Sequence, residues 1–190
     1  DANDAIGVYM KAAGGNLTAA TENNVKYTTV GNGNTVFTPA TTGIEFPKDG
    51  SNVDFISYYP YQTTITGYSY PINVAKQSDL SAIDLLYSNN AAAINMTNPA
   101  VTLNFKHMLS QVILNVSASS SVGSLTGLAL SIQDLKVDGT FDLATGSVAL
   151  GSTVATLTPT VSSTYTINAI LVPGQDLATA KFTFTLNGKT

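Results

Sequence analysis

The stretch FISYYPY at Phe55–Tyr61 is the most informative segment for predicting the fold of this chain. Apolar or aromatic residues occupy both phases of its two-residue alternation, so a β-strand here would be partly buried on both faces. Pro60 has no backbone N–H, and it therefore ends the ladder of hydrogen bonds or places it at a sheet edge. The stretch predicts a strand with apolar neighbours on each side of its sheet.

The same alternation recurs from one end of the chain to the other. Further alternating blocks are IGVYM (6–10), LNFKHMLSQV (103–112), LKVDGTFDL (135–143) and KFTFTL (181–186). Turn sequences separate such blocks, at GNGN (31–34), PKDG (47–50), Asp138–Gly139, which we interpret as a hairpin turn, and ATGSVAL (144–150). Short strands with turn signals about every 8–12 residues predict an all-β fold of mostly antiparallel strands, as a sandwich or barrel.

Two segments depart from this pattern. Ser78–Ser88, which contains the block IDLLYS (83–88), has apolar residues at helical spacing, so we predict a short helical turn with Ser78 or Asp79 as its N-cap. The alternation also slips in phase near His107–Ser110, which predicts a β-bulge.

The length of 190 residues allows one large domain or two small ones. Asn89–Pro99 (NNAAAINMTNP) reads as a connection between domains. We therefore expect a β-sandwich domain at residues 1–98 and a second at 99–190.

The composition excludes several classes of function. Only 11% of the residues are charged, against about a quarter in ordinary soluble proteins. All eight basic residues are Lys, the net charge is −4, and no basic run occurs, so nucleic-acid binding is not expected. No apolar stretch approaches the roughly 20 residues that span a bilayer. The absence of Cys excludes disulfides and thiolate chemistry.

Candidate catalytic and metal-binding residues are few. His107 is the only histidine, and Ser110, three residues later on a strand, would face away from it. Asp134, Asp138 and Asp142 would not converge on a hairpin, and no calcium-loop pattern is present. A hydrolase built on His107 would lack a recognisable triad. We therefore expect no catalytic residue, no metal site and no cofactor.

Two carboxylates and a group of tyrosines stand out. Asp54 and Asp84 lie inside apolar stretches, so each must reach backbone N–H groups, Lys or water. The tyrosines could stack on sugar rings or form an adhesive patch if they are exposed, and we expect two of them in the core and leave the others open. This tyrosine cluster comprises Tyr58, Tyr59, Tyr61, Tyr68 and Tyr70.

Four blocks, in their order along the chain, resemble the fimbrillin-like family, the pilus subunits and associated adhesins of Gram-negative anaerobes. They are IGVYM, FISYYPY, IDLLYS and LNFKHMLSQV, and ILVPGQ (170–175) extends the match. The resemblance implies two transthyretin-like, Greek-key β-sandwich domains and a non-enzymatic subunit of a surface fimbrium. It implies a lipoprotein precursor that is exported through the outer membrane and trimmed by a trypsin-like protease, consistent with a start at Asp1 and the absence of Arg.

The resemblance also implies how subunits join. Removal of an N-terminal strand opens a groove, and a strand from the next subunit fills it by β-augmentation. The expected partners are other copies of this chain or other fimbrial subunits, together with surface glycans or proteins. The candidate assembly residues lie on the first and last alternating blocks: Ile6, Val8, Met10, Phe182, Phe184 and Leu186. Because the family continues past the positions that match Asn187–Lys189, the second domain is expected to lack its last strands. The alternative function is a surface carbohydrate-binding sandwich that uses the tyrosine cluster.

Overall fold

The computed structural model describes residues 2–190, and strands make up its regular structure apart from a 3₁₀ turn at Leu17–Ala19. The strands are β1 (Ala5–Ala12), β2 (Glu22–Thr29), β3 (Phe37–Pro39), β4 (Val53–Tyr59), β5 (Ser69–Asn73), β6 (Leu86–Ile94), β7 (Lys106–His107), β8 (Ser110–Asn115), β9 (Ala129–Lys136), β10 (Asp138–Asp142), β11 (Ser147–Leu150), β12 (Val154–Leu157), β13 (Thr166–Leu171) and β14 (Lys181–Thr185). The predicted all-β class is confirmed. Within the described residues, no helix is long and apolar enough to cross a bilayer.

Within residues 2–190, the strands form four sheets. The largest has the order β3-β2-β1-β4-β6-β7, and each of its pairings is antiparallel. The others have the orders β11-β10-β5, β12-β9-β14 and β13-β8. Strands β1 and β4, which carry the blocks IGVYM and FISYYPY, lie in the middle of the six-stranded sheet.

The chain divides into two compact units. Unit 1 comprises the chain up to Tyr70 together with Leu85–Met108 and Phe141–Ser147. Unit 2 comprises Pro71–Asp84, Leu109–Thr140 and Val148–Thr190. The predicted connection at Asn89–Pro99 is wrong, because β6 runs to Ile94 and the whole segment lies within unit 1. A division into separately folding domains at residues 1–98 and 99–190 stays a prediction.

Each unit has its own core. In unit 1, a cluster on one face of the six-stranded sheet is formed by Ile6, Val8, Met10, Val53, Phe55 and Ala91. In unit 2, the fully buried side chains include Ile132, Leu135, Leu157, Ile167 and Val172. The core of unit 1 draws on alternate residues of β1, as the pleat of a strand requires. In β9 of unit 2, a register shift against β12 moves the buried phase from Ile132 to Leu135.

Three of the predicted turns are confirmed. Residues 30–36, with GNGN, connect the antiparallel pair β2 and β3. In PKDG, Gly50 N donates to Pro47 O at 3.1 Å. The ATGSVAL segment turns between β10 and β11, where Gly146 N donates to Asp142 O at 2.7 Å.

The predicted hairpin at Asp138–Gly139 is wrong. Both residues lie within β10, and β9 and β10 belong to different sheets. The Asp138 carboxylate accepts hydrogen bonds from the backbone N–H and the Oγ1 hydroxyl of Thr153, each at 2.8 Å. A Cβ on Gly139 would lie 2.6 Å from the Ala149 carbonyl oxygen, so this glycine permits a close backbone approach instead of a turn.

The segment Ser78–Ser88 makes the predicted single turn, which does not continue into a helix. Asp84 N donates to Leu80 O at 2.9 Å, and from Leu86 the chain enters β6. The Asp79 cap is confirmed, because its carboxylate accepts from Ala82 N at 3.3 Å.

The predicted bulge near His107–Ser110 is wrong as well. β7 ends at His107, and β8 begins at Ser110 in a different sheet. Because Met108 ends a segment of unit 1 and Leu109 begins one of unit 2, the phase slip marks a passage between units. The alternation at the start of LNFKHMLSQV, continued upstream by Val101, predicts a strand before β7, but residues 101–105 form no β-ladder.

Candidate functional site

An apolar cavity of about 820 Å³ lies against the six-stranded sheet of unit 1. Its floor includes Ile6 and Val8 of β1 and Phe55 of β4, all nearly fully buried. Its volume and apolar lining are typical of a binding cavity of about 300–1,000 Å³. This cavity is the first candidate functional site.

Two segments form the banks of the cavity. One bank is residues 33–37, which end in β3, and the other is Val101–Phe105, which leads into β7. Strands β3 and β7 are the two ends of the sheet order. The ring centroids of Phe37, in β3, and Phe105, just before β7, are nevertheless only 6.2 Å apart. The sheet therefore curls until its end strands approach each other across the cavity. The banks also expose apolar side chains, since Val36 is 69% and Val101 39% exposed.

The opposite face of the same sheet, called the closed face below, is covered mostly by aromatic residues, beside a recess of about 510 Å³ lined by Lys11, Asp54 and Tyr87. The ring of Tyr58 packs edge-on against Tyr70, with ring centroids 5.5 Å apart, and its centroid lies 6.4 Å from that of Tyr9. The centroids of Tyr9 and Tyr68 are 5.8 Å apart. Tyr87 packs edge-on against Phe141 at 4.9 Å. These geometries are the tilted and edge-to-face arrangements that aromatic pairs prefer.

The buried hydroxyls on this face are satisfied. Tyr58 donates to Asn24 Oδ1 at 2.7 Å and accepts from Gln62 N at 3.2 Å, and Tyr87 donates to Leu143 O at 2.8 Å. Burial raises the pKa of Tyr9 and of Tyr87 to about 12, so both stay protonated over the physiological range. The tyrosines of this face therefore remain neutral hydrogen-bonding and packing groups at neutral pH.

Asp54 is held by three donors on this closed face. Its carboxylate accepts from Lys11 Nζ and Gly14 N, each at 2.8 Å, and from Ala93 N at 2.9 Å. Burial opposes ionisation, but the hydrogen bond from Lys11 and those from Ala93 and Gly14 outweigh it and lower the pKa of Asp54. The requirement for Lys and backbone N–H partners, inferred from the sequence, is confirmed for Asp54.

The two candidate assembly strands occupy different positions. β1, with Ile6, Val8 and Met10, pairs with β2 on one side and β4 on the other, and all three side chains are buried. β14 lies at a sheet edge and pairs only with β9. Phe182 and Phe184 of β14 are 37% and 40% exposed, and Leu186 follows the strand in a partly buried position.

The tyrosine cluster divides between interior and surface. Tyr58 and Tyr70 are buried, whereas Tyr59, Tyr61 and Tyr68 are partly exposed. Tyr61 lines a recess of about 570 Å³ whose other polar groups come from β2 and the loop after β3: Glu22, Asn24, Lys26, Thr41, Thr42 and Glu45. The Lys26 ammonium lies 5.4 Å from the centroid of the Tyr61 ring.

The remaining polar candidates are dispersed. His107 is exposed on β7, at the end of the six-stranded sheet. Asp142 accepts from Ala144 N at 2.8 Å and from Thr145 Oγ1 at 2.9 Å, so it stabilises the β10–β11 turn. Within residues 2–190, no group of three or more His, Asp or Glu side chains is placed to hold a metal ion.

Side-chain amides that substitute for strand neighbours were not found from the sequence. In unit 2, Gln77 donates to Ile170 O at 2.9 Å and accepts from Ile170 N at 3.0 Å. In unit 1, Asn90 donates to Thr102 O at 2.8 Å and accepts from Asn104 N at 2.7 Å. An isolated Asn or Gln carries no periodic signal, so only the fold identifies such residues.

Comparison with known proteins identifies relatives along the whole chain. A curated relative from Bacteroides uniformis, described as a candidate fimbrium subunit, Fim1C, is 32% identical over 196 residues. The match covers 99% of this chain but only 63% of that relative, so the chain spans less than two thirds of its length.

Solved structures share the fold. A candidate cell adhesion protein from Bacteroides uniformis superposes with a TM-score of 0.89 at 29% identity, over 99% of this chain and 75% of that one. A second, from Bacteroides ovatus, has a TM-score of 0.76 at 19% identity, over 99% of this chain and 74% of that one, and it shows likeness of fold alone.

The family model described as fimbrillin-like matches residues 1–190. The resemblance seen in the four sequence blocks is therefore confirmed over the whole chain. The chain belongs to the fimbrillin-like family.

Proposed function

We propose that this chain is a non-enzymatic subunit of a cell-surface fimbrium, and that subunits join when a β-strand of one copy enters the apolar cavity of the next. The observation that carries the proposal is the cavity of about 820 Å³ between the two ends of the curled sheet. A strand places alternate side chains on one face, so an apolar alternating strand would fill this lining. Covering exposed apolar surface would drive the association.

The best donor in this chain is β14 with the residue that follows it, KFTFTL at Lys181–Leu186. It presents Phe182, Phe184 and Leu186 in one phase and threonines in the other. Because β14 pairs with β9 alone, its release breaks one ladder, whereas release of β1 would break two. We therefore assign β14 the donor role and β1 the floor of the acceptor.

Matched valine substitutions test the acceptor. Val36 and Val30 are 69% and 68% exposed, but only Val36 lines the cavity. Negative-stain electron microscopy and light scattering of the purified protein should show polymers for the unmodified chain and for Val30→Asp, and monomers for Val36→Asp. Equal behaviour of the two variants, or an unmodified chain that stays monomeric at all concentrations, would refute assembly through this cavity.

A synthetic peptide tests the donor. The peptide AKFTFTLN, residues 180–187, should bind the monomer and stop polymer growth, and AKTTTTLN, without the two phenylalanines, should not. Polymer growth that is insensitive to AKFTFTLN would exclude this segment as the donor.

We further propose that the protein reaches the cell surface from a lipoprotein precursor exported through the outer membrane. Membership of the fimbrillin-like family supports this route. Mass spectrometry of peptides shaved by protease from intact cells should recover this chain, and recovery only after cell lysis would contradict surface exposure.

Glycan binding by an adhesin is the second candidate function, and the recess beside Tyr61 favours it. A phenol ring, an ammonium and two carboxylates supply the stacking and hydrogen-bonding groups that a sugar uses. Calorimetric titration with glycans that bind on an array should lose its signal in Tyr61→Ala and keep it in Tyr59→Ala, because Tyr59 does not line the recess. Equal loss in both variants, or no glycan bound, would remove this candidate.

A further inference from the structure

The segment Val101–Phe105 has the alternating sequence of a strand but belongs to no β-sheet. Its alternating Val101, Leu103 and Phe105 predict a strand, and all three line the cavity. No β-ladder includes residues 101–105. Since a two-residue alternation is the signature of paired strands, the missing partner calls for a physical explanation.

One edge of this segment is already occupied by unit 1. β7 continues the segment and pairs with β6 through Tyr87 and Lys106. Further along, the Asn90 side chain takes the place of a strand residue, because it donates to Thr102 O at 2.8 Å and accepts from Asn104 N at 2.7 Å. Ser88 Oγ donates to Asn90 Oδ1 at 2.7 Å and orients the amide.

The other edge of the segment is unpaired. In an extended chain, successive residues direct their N–H and C=O groups to opposite sides. Because Thr102 and Asn104 use theirs on the β6 side, the groups of Val101, Leu103 and Phe105 lie on the far side. Among residues 2–190, these three residues make no backbone hydrogen bond.

The opposite bank of the cavity is less suited to pair with an additional strand. β3 has three residues, and it ends in Pro39, which has no N–H to donate. Ala40 N donates to Lys26 O at 3.0 Å, so the backbone beyond Pro39 is bound to β2. Prolines and very short strands are common means of blocking an exposed sheet edge.

We propose that Val101–Phe105 is the edge that receives the incoming strand, and that it becomes a true β-strand only in the assembled filament. Asn90 is its positioning residue, because the amide holds the segment extended and in register before the partner arrives. This inference rests on the proposed function and deepens it, since it names one edge of the cavity as the acceptor and a strand from a second copy as the occupant.

Hydrogen exchange at single-residue resolution by NMR tests the edge. With AKFTFTLN bound, the amides of Val101, Leu103 and Phe105 should become protected by at least tenfold, while Asn104, already bonded to Asn90, should change little. Peptide binding that leaves all three amides unprotected would overturn the acceptor edge and leave assembly through the cavity intact. The absence of peptide binding together with the absence of polymers would overturn both.

Substitutions at Asn90 test its positioning role. Asn90→Ala removes both amide bonds, and we expect about tenfold weaker peptide binding with an unchanged fold by circular dichroism. Asn90→Asp keeps an acceptor for Asn104 N but loses the donor to Thr102 O. Its affinity for the peptide should therefore lie between that of the unmodified chain and that of Asn90→Ala. Asn98→Ala is the matched control, because Asn98 is an exposed asparagine outside the cavity. Unchanged affinity in Asn90→Ala, or an equal loss in Asn98→Ala, would refute the role of Asn90.

Discussion

The two faces of the six-stranded sheet in unit 1 differ in how completely they are packed. One face is covered mostly by tyrosines, of which Tyr58 donates to Asn24, and it also holds a recess of about 510 Å³ lined by Lys11, Asp54 and Tyr87. The other face carries Ile6, Val8 and Phe55 beneath a cavity of about 820 Å³. Both faces belong to the same strands, so the difference arises from what the chain places over each of them.

This contrast bears on both stability and assembly. Aromatic residues with satisfied hydroxyls stabilise the closed face without outside help. Apolar side chains around a cavity lose the contacts that close packing would supply. The face with the cavity also carries the core cluster around Ile6, Val8 and Phe55, so it contributes to stability as well, and the proposed assembly uses only the space left above that cluster.

The largest effect is expected at Tyr58, which is 0% exposed on the closed face. Tyr58→Ala leaves a cavity and unpaired polar groups, and it should cost about 3–5 kcal/mol of unfolding free energy. Val36→Asp on the open face should cost less than about 0.5 kcal/mol. Urea denaturation of both variants measures the difference, and similar losses would break the contrast between the faces.

Gly7 of β1 tests how tightly the closed face is packed. A Cβ at this position would collide with the Tyr58 ring and with Asn24 Oδ1. Gly7→Ala should therefore cost about 1–3 kcal/mol by overpacking. Thermal denaturation measures it, with Gly31→Ala, which meets only Thr35 Oγ1 at 3.5 Å, as the control. An unchanged melting temperature in Gly7→Ala would mean that the Tyr58 ring can move aside without loss of stability.

Asp54 makes the free energy of unfolding depend on pH. Its pKa is lowered from 3.8, so its stabilisation is complete above that value and is lost as the pH falls through the lower pKa of the folded state. Asp54→Asn should cost about 1.5 kcal/mol at neutral pH, because the charged hydrogen bond to Lys11 is lost. Unfolding free energies measured from neutral pH down to about pH 2 should converge for the two proteins. A gap that persists at low pH would show that the effect is not due to the carboxylate charge.

The smallest effect is expected between the two banks of the open face. Phe37 and Phe105 are in tilted contact at 6.2 Å, so a double-mutant cycle with alanine should give a coupling of about 0.5–1 kcal/mol. Denaturation of the single and double variants measures it. A coupling above about 2 kcal/mol would mean that the two banks are already packed against each other. That result would argue against an open cavity that accepts a strand.

Local patterns predicted the strands well and their partners poorly. The alternation in Val53–Tyr59 correctly predicts β4, and the GNGN turn correctly predicts the β2–β3 hairpin. Asp138–Gly139 was misread, because an Asp-Gly pair also suits a carboxylate that bonds across to Thr153. Asn90 was missed, because its role depends on backbone groups more than ten residues away along the chain.

The sequence by itself determined that the chain is all-β, that it is fimbrillin-like, and that Val101–Phe105 has the alternation of a strand. These properties follow from the two-residue pleat and from short blocks in order, which are local. Only the tertiary structure decided that Tyr58 is buried, that β1 is central and β14 at an edge, and that Ile6, Val8 and Phe55 lie beneath an apolar cavity. Those outcomes depend on which distant segments meet, and the pleat of a strand does not specify its neighbour.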